Sequence, residues 1–309
     1  MILCLGTTPT VQRSMTFDRV TIDDVNRAIE VRDYASGKSP NVARVLRTLG
    51  ADPLEVGFAG GDRGRFLLDD LKQAGVRCDF VPVAAQTRLC ITVIDRSTNV
   101  ATELVEEHAP VAAAGWAEMD RKLRELLPQF EYWIFSGSLP SGAPQDFYAK
   151  WIPLADQHRA TLILDARGEP LNLALAHGGF IVKLNRDELA ATLGVALDSE
   201  AALSQAARRV VPAGGASIVT LGSKGAVASD GRAVWRVIPP KIAAISAVGS
   251  GDAFAAGLTL ALSRGQSLPE AMKLASACGA ANAMTALAGH LNADDVDKLL
   301  PSVSVTEIG

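Results

Sequence analysis

Residues 247–258, AVGSGDAFAAGL, set one carboxylate, Asp252, between a glycine-rich loop and an almost wholly apolar run. Gly249 and Gly251 permit backbone geometry that other residues resist. The N–H groups of Gly249, Ser250 and Gly251 can therefore point at one spot. A helix beginning at Asp252 would aim its unpaired N–H groups and its dipole at the same place. Such a hollow suits phosphate, and a carboxylate at its rim can take a proton from an attacking hydroxyl. A base beside an anion hole is what phosphoryl transfer requires. The same letters also fit a capping aspartate after glycine turns. No Walker A pattern occurs, and Phe254 stands where the third glycine of a dinucleotide fingerprint would fall.

The elements that must position this stretch alternate along the chain. MILCLG reads as a buried first strand. In PNVARVLRTLG, Val42, Val45, Leu46 and Leu49 share one helical face. Ser39 is the expected cap of that helix, Pro40 suits its first turn and Gly50 its end. PLEVGFAG and CDFVPV read as strands around a helix in GRFLLDDLKQAG. YWIFSGS, TLILDA, FIVKLN and ASIVTLG continue the strands. Helices are expected near 144–157, 170–176 and 199–211, with another in DELAATLG. Buried strands alternating with helices predict an α/β fold whose mostly parallel sheet is covered on both faces. Excursions near 10–33 and 88–106 alternate apolar with polar residues and read as hairpins with one wet face. Paired together they would form a small sheet, either an edge ornament or a lid over the carboxyl end of the main sheet.

Composition narrows the partners. Of 309 residues, 48% are hydrophobic and 21% charged, enough for a large core. A net charge of −4 without a basic run or zinc-spaced Cys/His cluster argues against nucleic acid. The longest apolar run, around Ala253–Leu262, is shorter than a membrane span. Cys4, Cys78, Cys90 and Cys278 are scattered, which fits reduced thiols and a cytoplasmic location.

VGSGDAFAAG resembles the C-terminal signature of the ribokinase/PfkB family of carbohydrate kinases. SGKSPNVARVL (36–46) is similar to that family's substrate loop, QTRLCI (86–91) to the TR element of its phosphofructokinase branch, and FSGSLPSGAPQDFY (135–148) to a further stretch of that branch. ILDARGEPL, VKLNRDEL and VTLGSKGA resemble three more of its motifs in order. The resemblance spans nearly the whole chain. It implies one ribokinase-like kinase domain over 1–309: a three-layer α/β/α sandwich with a small β-sheet lid. The implied chemistry moves the ATP γ-phosphoryl group, with Mg2+, to a hydroxyl of a phosphorylated hexose such as fructose 1-phosphate, fructose 6-phosphate or tagatose 6-phosphate.

On that resemblance Asp252 is the base, and the N–H groups of Gly249, Ser250 and Gly251 stabilise the transferring group. Asn185 and Glu188, three apart, can share one helical turn and would serve the Mg2+–phosphate network through water. Lys183 would lie near the nucleotide phosphates, and Thr220, Gly222 and Gly225 would line the nucleotide groove. Gly37 and Asn41 belong to the sugar loop. Arg88, Arg27, Lys38 and Ser136 are candidates for the phosphate already on the acceptor, since guanidinium forks fit phosphate oxygens.

The departures cluster on the acceptor side. Gln12 stands where the branch usually has an aspartate, Thr8 replaces an asparagine, Ser36 and Ser39 replace two glycines, and Arg167 replaces a serine. An amide donates as well as accepts, whereas a carboxylate only accepts. Gln12, Ser36 and Ser39 are therefore expected to mark an altered acceptor. Two alternatives remain: a same-fold kinase of an unphosphorylated sugar or nucleoside, and a non-catalytic binding protein on this scaffold. A homodimer through the lid edges is a further expectation.

Overall fold

A computed structural model describes residues 1–309. The chain opens with β1 (Ile2–Gly6), β2 (Thr10–Phe17), β3 (Glu30–Ser36), α1 (Lys38–Thr48), β4 (Leu54–Ala59) and α2 (Gly61–Gln73). It continues through β5 (Arg77–Cys78), β6 (Val81–Pro82), β7 (Arg88–Asp95), β8 (Val100–Val105), α3 (Ala113–Leu126) and β9 (Tyr132–Ser136). Next come α4 (Ile152–His158), β10 (Thr161–Asp165), α5 (Glu169–Leu175), β11 (Phe180–Asn185), α6 (Arg186–Leu193), α7 (Glu200–Arg209) and β12 (Ala216–Thr220). The last third holds β13 (Ala226–Ser229), β14 (Val234–Ile238), α8 (Ser250–Ser263), α9 (Leu268–Ala283), α10 (Ala293–Leu299) and β15 (Ser304–Glu307).

The large sheet runs β15-β14-β13-β12-β11-β10-β9-β1-β4-β5, with β6 also on β4. From β12 to β5 every pairing is parallel, and β13, β14 and β15 add an antiparallel edge. Alternate residues of one strand feed opposite cores. Leu3 and Leu5 pack with Trp116 of α3, Leu171 of α5 and Leu203 of α7, while Ile2 and Cys4 pack with Val42 of α1, Leu67 of α2 and Leu258 of α8. Three layers result, and β9, β10 and β11 end together at their carboxyl edge.

The second sheet is separate, with order β3-β2-β7-β8. The two excursions do pair, and the seam between them is parallel: β2 lies against β7 from Thr10↔Arg88 to Phe17↔Asp95.

Several boundaries differ from expectation. Gly37, not Ser39, precedes α1, because its φ of 109° suits glycine while the Ser39 hydroxyl bonds elsewhere. Helix α8 starts at Ser250, two residues earlier than expected, with Gly249 left-handed before it. CDFVPV is broken into the two-residue strands β5 and β6, the second ending at Pro82, which has no N–H to donate. The helix expected near 144–157 is a short 3-10 turn followed by α4. No helix is long and apolar enough to cross a membrane, and all four cysteines are free.

Candidate active site

Asp252 occupies the third position of α8 and is 8% exposed. Its Oδ2 accepts from Asn41 Nδ2 at 2.8 Å. Burial raises its pKa to about 6, helped by Asp165 and opposed by the Asn41 hydrogen bond, Lys38 and Lys183. The group therefore titrates just below neutrality, the range useful to a general base.

The loop before α8 supplies donors. Ser250 N–H bonds the Ala247 carbonyl at 3.1 Å, so it is already engaged. The Gly249 and Gly251 N–H groups donate to nothing within the protein. A Cβ on Gly251 would lie 3.5 Å from Lys183 Nζ, which places a cation directly over the loop. Gly249 is required twice: its φ is 80°, and a Cβ would lie 2.7 Å from the Gly289 nitrogen. Asn282, fully buried, ties the loop down by donating to the Val248 carbonyl and accepting from Gly289 N–H at 2.9 Å.

Asp165 is the centre of the charge cluster. It ends β10, is 1% exposed, and pairs with Lys183 Nζ at 2.6 Å and with Lys38 Nζ. Burial alone would raise its pKa, but the two ammonium groups hold it well below the usual carboxylate range. Lys38 also lies 3.7 Å from Glu188. Within ILDARG the sequence singles out Arg167 and not Asp165. Arg167 itself is exposed. The missed signal was a lone acid ending an apolar strand. Asn282 carried no local signal at all.

Asn185 and Glu188 form a capping box on α6. Asn185 Oδ1 accepts from Glu188 N–H at 2.8 Å, and Glu188 Oε2 accepts from Asn185 N–H at 2.8 Å. The Asn185 amide oxygen is thus occupied, and Glu188 Oε1 is the oxygen the box does not use. As a donor set for Mg2+, one such carboxylate oxygen facing Lys38 fits contact through water rather than a cage. No group of three or more His, Cys, Asp or Glu side chains forms a metal cluster.

On the acceptor side, Gln12 faces Tyr34 and Cys90 across the small sheet, and its Nε2 donates to Thr92 Oγ1 at 2.8 Å. Arg88 begins β7 and donates to the Thr8 carbonyl at 3.0 Å, while its buried Nε has no partner. Gly37 abuts the same segment: a Cβ there would lie 3.4 Å from the Thr8 carbonyl oxygen. Ser136 sits opposite Asp165 in β9, with its buried hydroxyl also unpartnered. Gly37, Lys38, Asn41, Arg88 and Ser136 are therefore linked by shared neighbours. Arg27 is not: it lies in an exposed loop and makes no hydrogen bond or ion pair. Ser36 and Ser39 also depart from expectation. Ser36 Oγ bonds Asn41 Oδ1 at 3.0 Å, and Ser39 Oγ bonds Glu55 Oε2 at 2.8 Å. Both hydroxyls are buried inside the loop, which makes them anchors of it.

Thr220 ends β12 and its hydroxyl meets the Leu184 carbonyl at 3.3 Å. Gly222 faces open space. Gly225 has its own internal reason: a Cβ would lie 2.1 Å from the Val237 carbonyl oxygen of β14.

A profile of the pfkB family carbohydrate kinases matches residues 1–293. The chain belongs to that family. Tagatose-6-phosphate kinase of Staphylococcus epidermidis is 32% identical over 315 residues, covering 100% of both chains. Phosphofructokinase-2 from Escherichia coli, solved with substrates and products, is 26% identical with a TM-score of 0.90, over 97% of this chain and 98% of that one. The same E. coli protein has also been solved as a tetrameric inhibited form. A possible 1-phosphofructokinase from Thermotoga maritima superposes with a TM-score of 0.92 at 21% identity over the whole of both chains, which speaks to the fold alone. This pfkB kinase has the ribokinase-like architecture of a large, mostly parallel sheet with a small separate one. It is a carbohydrate kinase, and ATP is the phosphoryl donor its family implies.

Proposed function

We propose that this kinase moves the γ-phosphoryl group of ATP to a hydroxyl of a phosphorylated hexose of the tagatose and fructose class. The observation that carries this reading is Asp252: a buried carboxylate titrating near 6, beside two free N–H groups and the Lys183 ammonium. Asp252 would hold the acceptor hydroxyl in line and take its proton. The Gly249 and Gly251 N–H groups, with Lys183 and Lys38, would stabilise the charge spread over the transferring oxygens. Mg2+ bound with ATP would neutralise phosphate charge, with Glu188 the residue that would hold it through water. Thr220 and the open side of Gly222 would border the nucleotide.

Arg88 and Ser136 would take the acceptor's existing phosphate, since both keep a buried donor without a partner. Gln12 would meet the sugar hydroxyls from above. In this reading residues 1–309 work as one domain in the cytoplasm, and the small sheet is a lid that excludes water during transfer. Two copies would join through the outer face of that sheet, where Val31, Val100 and Leu104 are 51%, 53% and 54% exposed.

The direct experiment is a panel of phosphorylated and free sugars with ATP and Mg2+, followed by ADP release. Tagatose 6-phosphate or a fructose phosphate should give turnover. Turnover only with an unphosphorylated sugar, or none with any, overturns the proposal.

A further inference from the structure

Ser36, a departure expected to mark an altered acceptor, turns its hydroxyl inward. It is the last residue of β3, stands opposite Thr10 in the small sheet, and is 3% exposed. Its Oγ reaches Asn41 Oδ1 at 3.0 Å, and the other end of that amide donates to Asp252 at 2.8 Å. An ionised carboxylate only accepts, so Asn41 must turn its NH2 toward Asp252 and its carbonyl toward Ser36. The Ser36 hydroxyl then has to donate. Asn41 is itself 3% exposed, and a Cβ on Gly289 would lie 2.7 Å from its Oδ1. Without that hydroxyl a buried carbonyl oxygen loses the partner it has here.

We propose that Ser36 is a positioning residue which, by locking the Asn41 amide, holds the Asp252 carboxylate in its ionised, proton-accepting arrangement. Three elements meet in this relay: β3 of the small sheet, α1 and α8. The relay rests on the assignment of Asp252 as base and adds a group that touches neither substrate nor nucleotide. The other charged groups acting on Asp252 are Asp165 from β10, Lys183 from β11 and Lys38 from α1. None of them bonds Ser36, so its removal should alter only the Asn41 contribution. That contribution favours the ionised form. Its loss should make Asp252 harder to ionise and leave the base protonated at pH values where the wild type is active.

The test compares wild type, Ser36→Ala and Ser36→Thr in two measurements. The first is the pH profile of kcat/KM with tagatose 6-phosphate and MgATP, which reports groups of the free enzyme. Ser36→Ala should move the acidic limb upward by about half to one pH unit, roughly a three- to tenfold loss at pH 5.5 that fades by pH 8. Ser36→Thr, which keeps the hydroxyl, should track the wild type. The second is a carboxyl 13C titration of the ligand-free protein, with the Asp252 signal identified by its loss in Asp252→Asn. It should show the same upward shift in Ser36→Ala. A limb and titration that stay in place, an equal loss of kcat/KM at every pH, or a Thr variant that shifts like Ala overturns the relay. If tagatose 6-phosphate is not an acceptor, the substrate assignment fails while the carboxyl titration still decides on Ser36.

Discussion

Lys183 and Asp165 lie 2.6 Å apart in neighbouring parallel strands, both almost without solvent. Lys38 approaches the same carboxylate from α1. Two ammonium groups thus converge on one carboxylate at the carboxyl edge of the sheet, where the α8 loop also presents its free N–H groups. The cluster carries a prediction of its own. Asp165→Asn leaves a buried lysine uncompensated and should cost about 3 kcal/mol or more of stability, read as a lower denaturant midpoint. An unchanged midpoint would show that the lysines have other partners.

Asp252→Asn should abolish turnover by roughly 10³-fold while leaving ATP binding close to wild type. It should also change stability with a definite sign. The folded pKa of about 6 lies above the ordinary 3.8, so the folded state holds this proton more tightly. The wild type therefore loses stability as pH rises from about 3.8 to 6, and the asparagine variant does not. The variant should melt above the wild type at pH 7 and level with it near pH 4. Retained turnover would remove Asp252 from the mechanism.

Arg88→Ala separates phosphorylated from free acceptors. If Arg88 takes the existing phosphate, KM for a sugar phosphate should rise about 10- to 100-fold, the scale of a lost charge-assisted bond, with KM for ATP nearly unchanged. Equal effects on both ligands would assign Arg88 to the scaffold, through its bond to Thr8.

Glu55 offers a prediction about stability alone. It is fully buried in β4, its carboxyl group has Ser39 as sole hydrogen-bond partner, and Oε1 is left without one. Burial pushes its pKa well above the usual 4.5, and the Ser39 bond opposes this only in part. The folded state keeps the proton, so wild-type stability falls as pH rises above 4.5. Glu55→Gln should remove a slope of up to about 1.4 kcal/mol per pH unit in that window. Thermal melting at several pH values checks it, and parallel curves for both proteins would rule out a neutral Glu55.

Leu104→Asp places a charge on the exposed apolar face of the small sheet. Light scattering should then report a fall from dimer to monomer without loss of fold. A wild type that is already monomeric would contradict the proposed pairing.

The main sheet was legible because β1, β9, β10, β11 and β12 are short apolar runs separated by helical periods. The alternation of β2 and β7 gave the second sheet but not its parallel seam, since pairing between distant strands leaves no local trace. GSGD was visible as a glycine-flanked acid. The inward bonds of Ser36 and Ser39 were not legible, because a serine in a substrate loop looks alike whether it faces ligand or core. Asp165 was overlooked for a related reason: only the arrival of Lys38 and Lys183 from other elements turns a strand-end acid into the hub of a cluster.

The seam between β2 and β7 joins residues 78 positions apart in the chain. The stretch between them includes β4 and α2, so closing this seam costs more entropy than closing a local hairpin. Long loops close slowly and late. The small sheet should therefore be the last unit to assemble and the first to open, so that limited proteolysis of the native protein ought to begin in the 18–29 connection while the larger sheet is still intact.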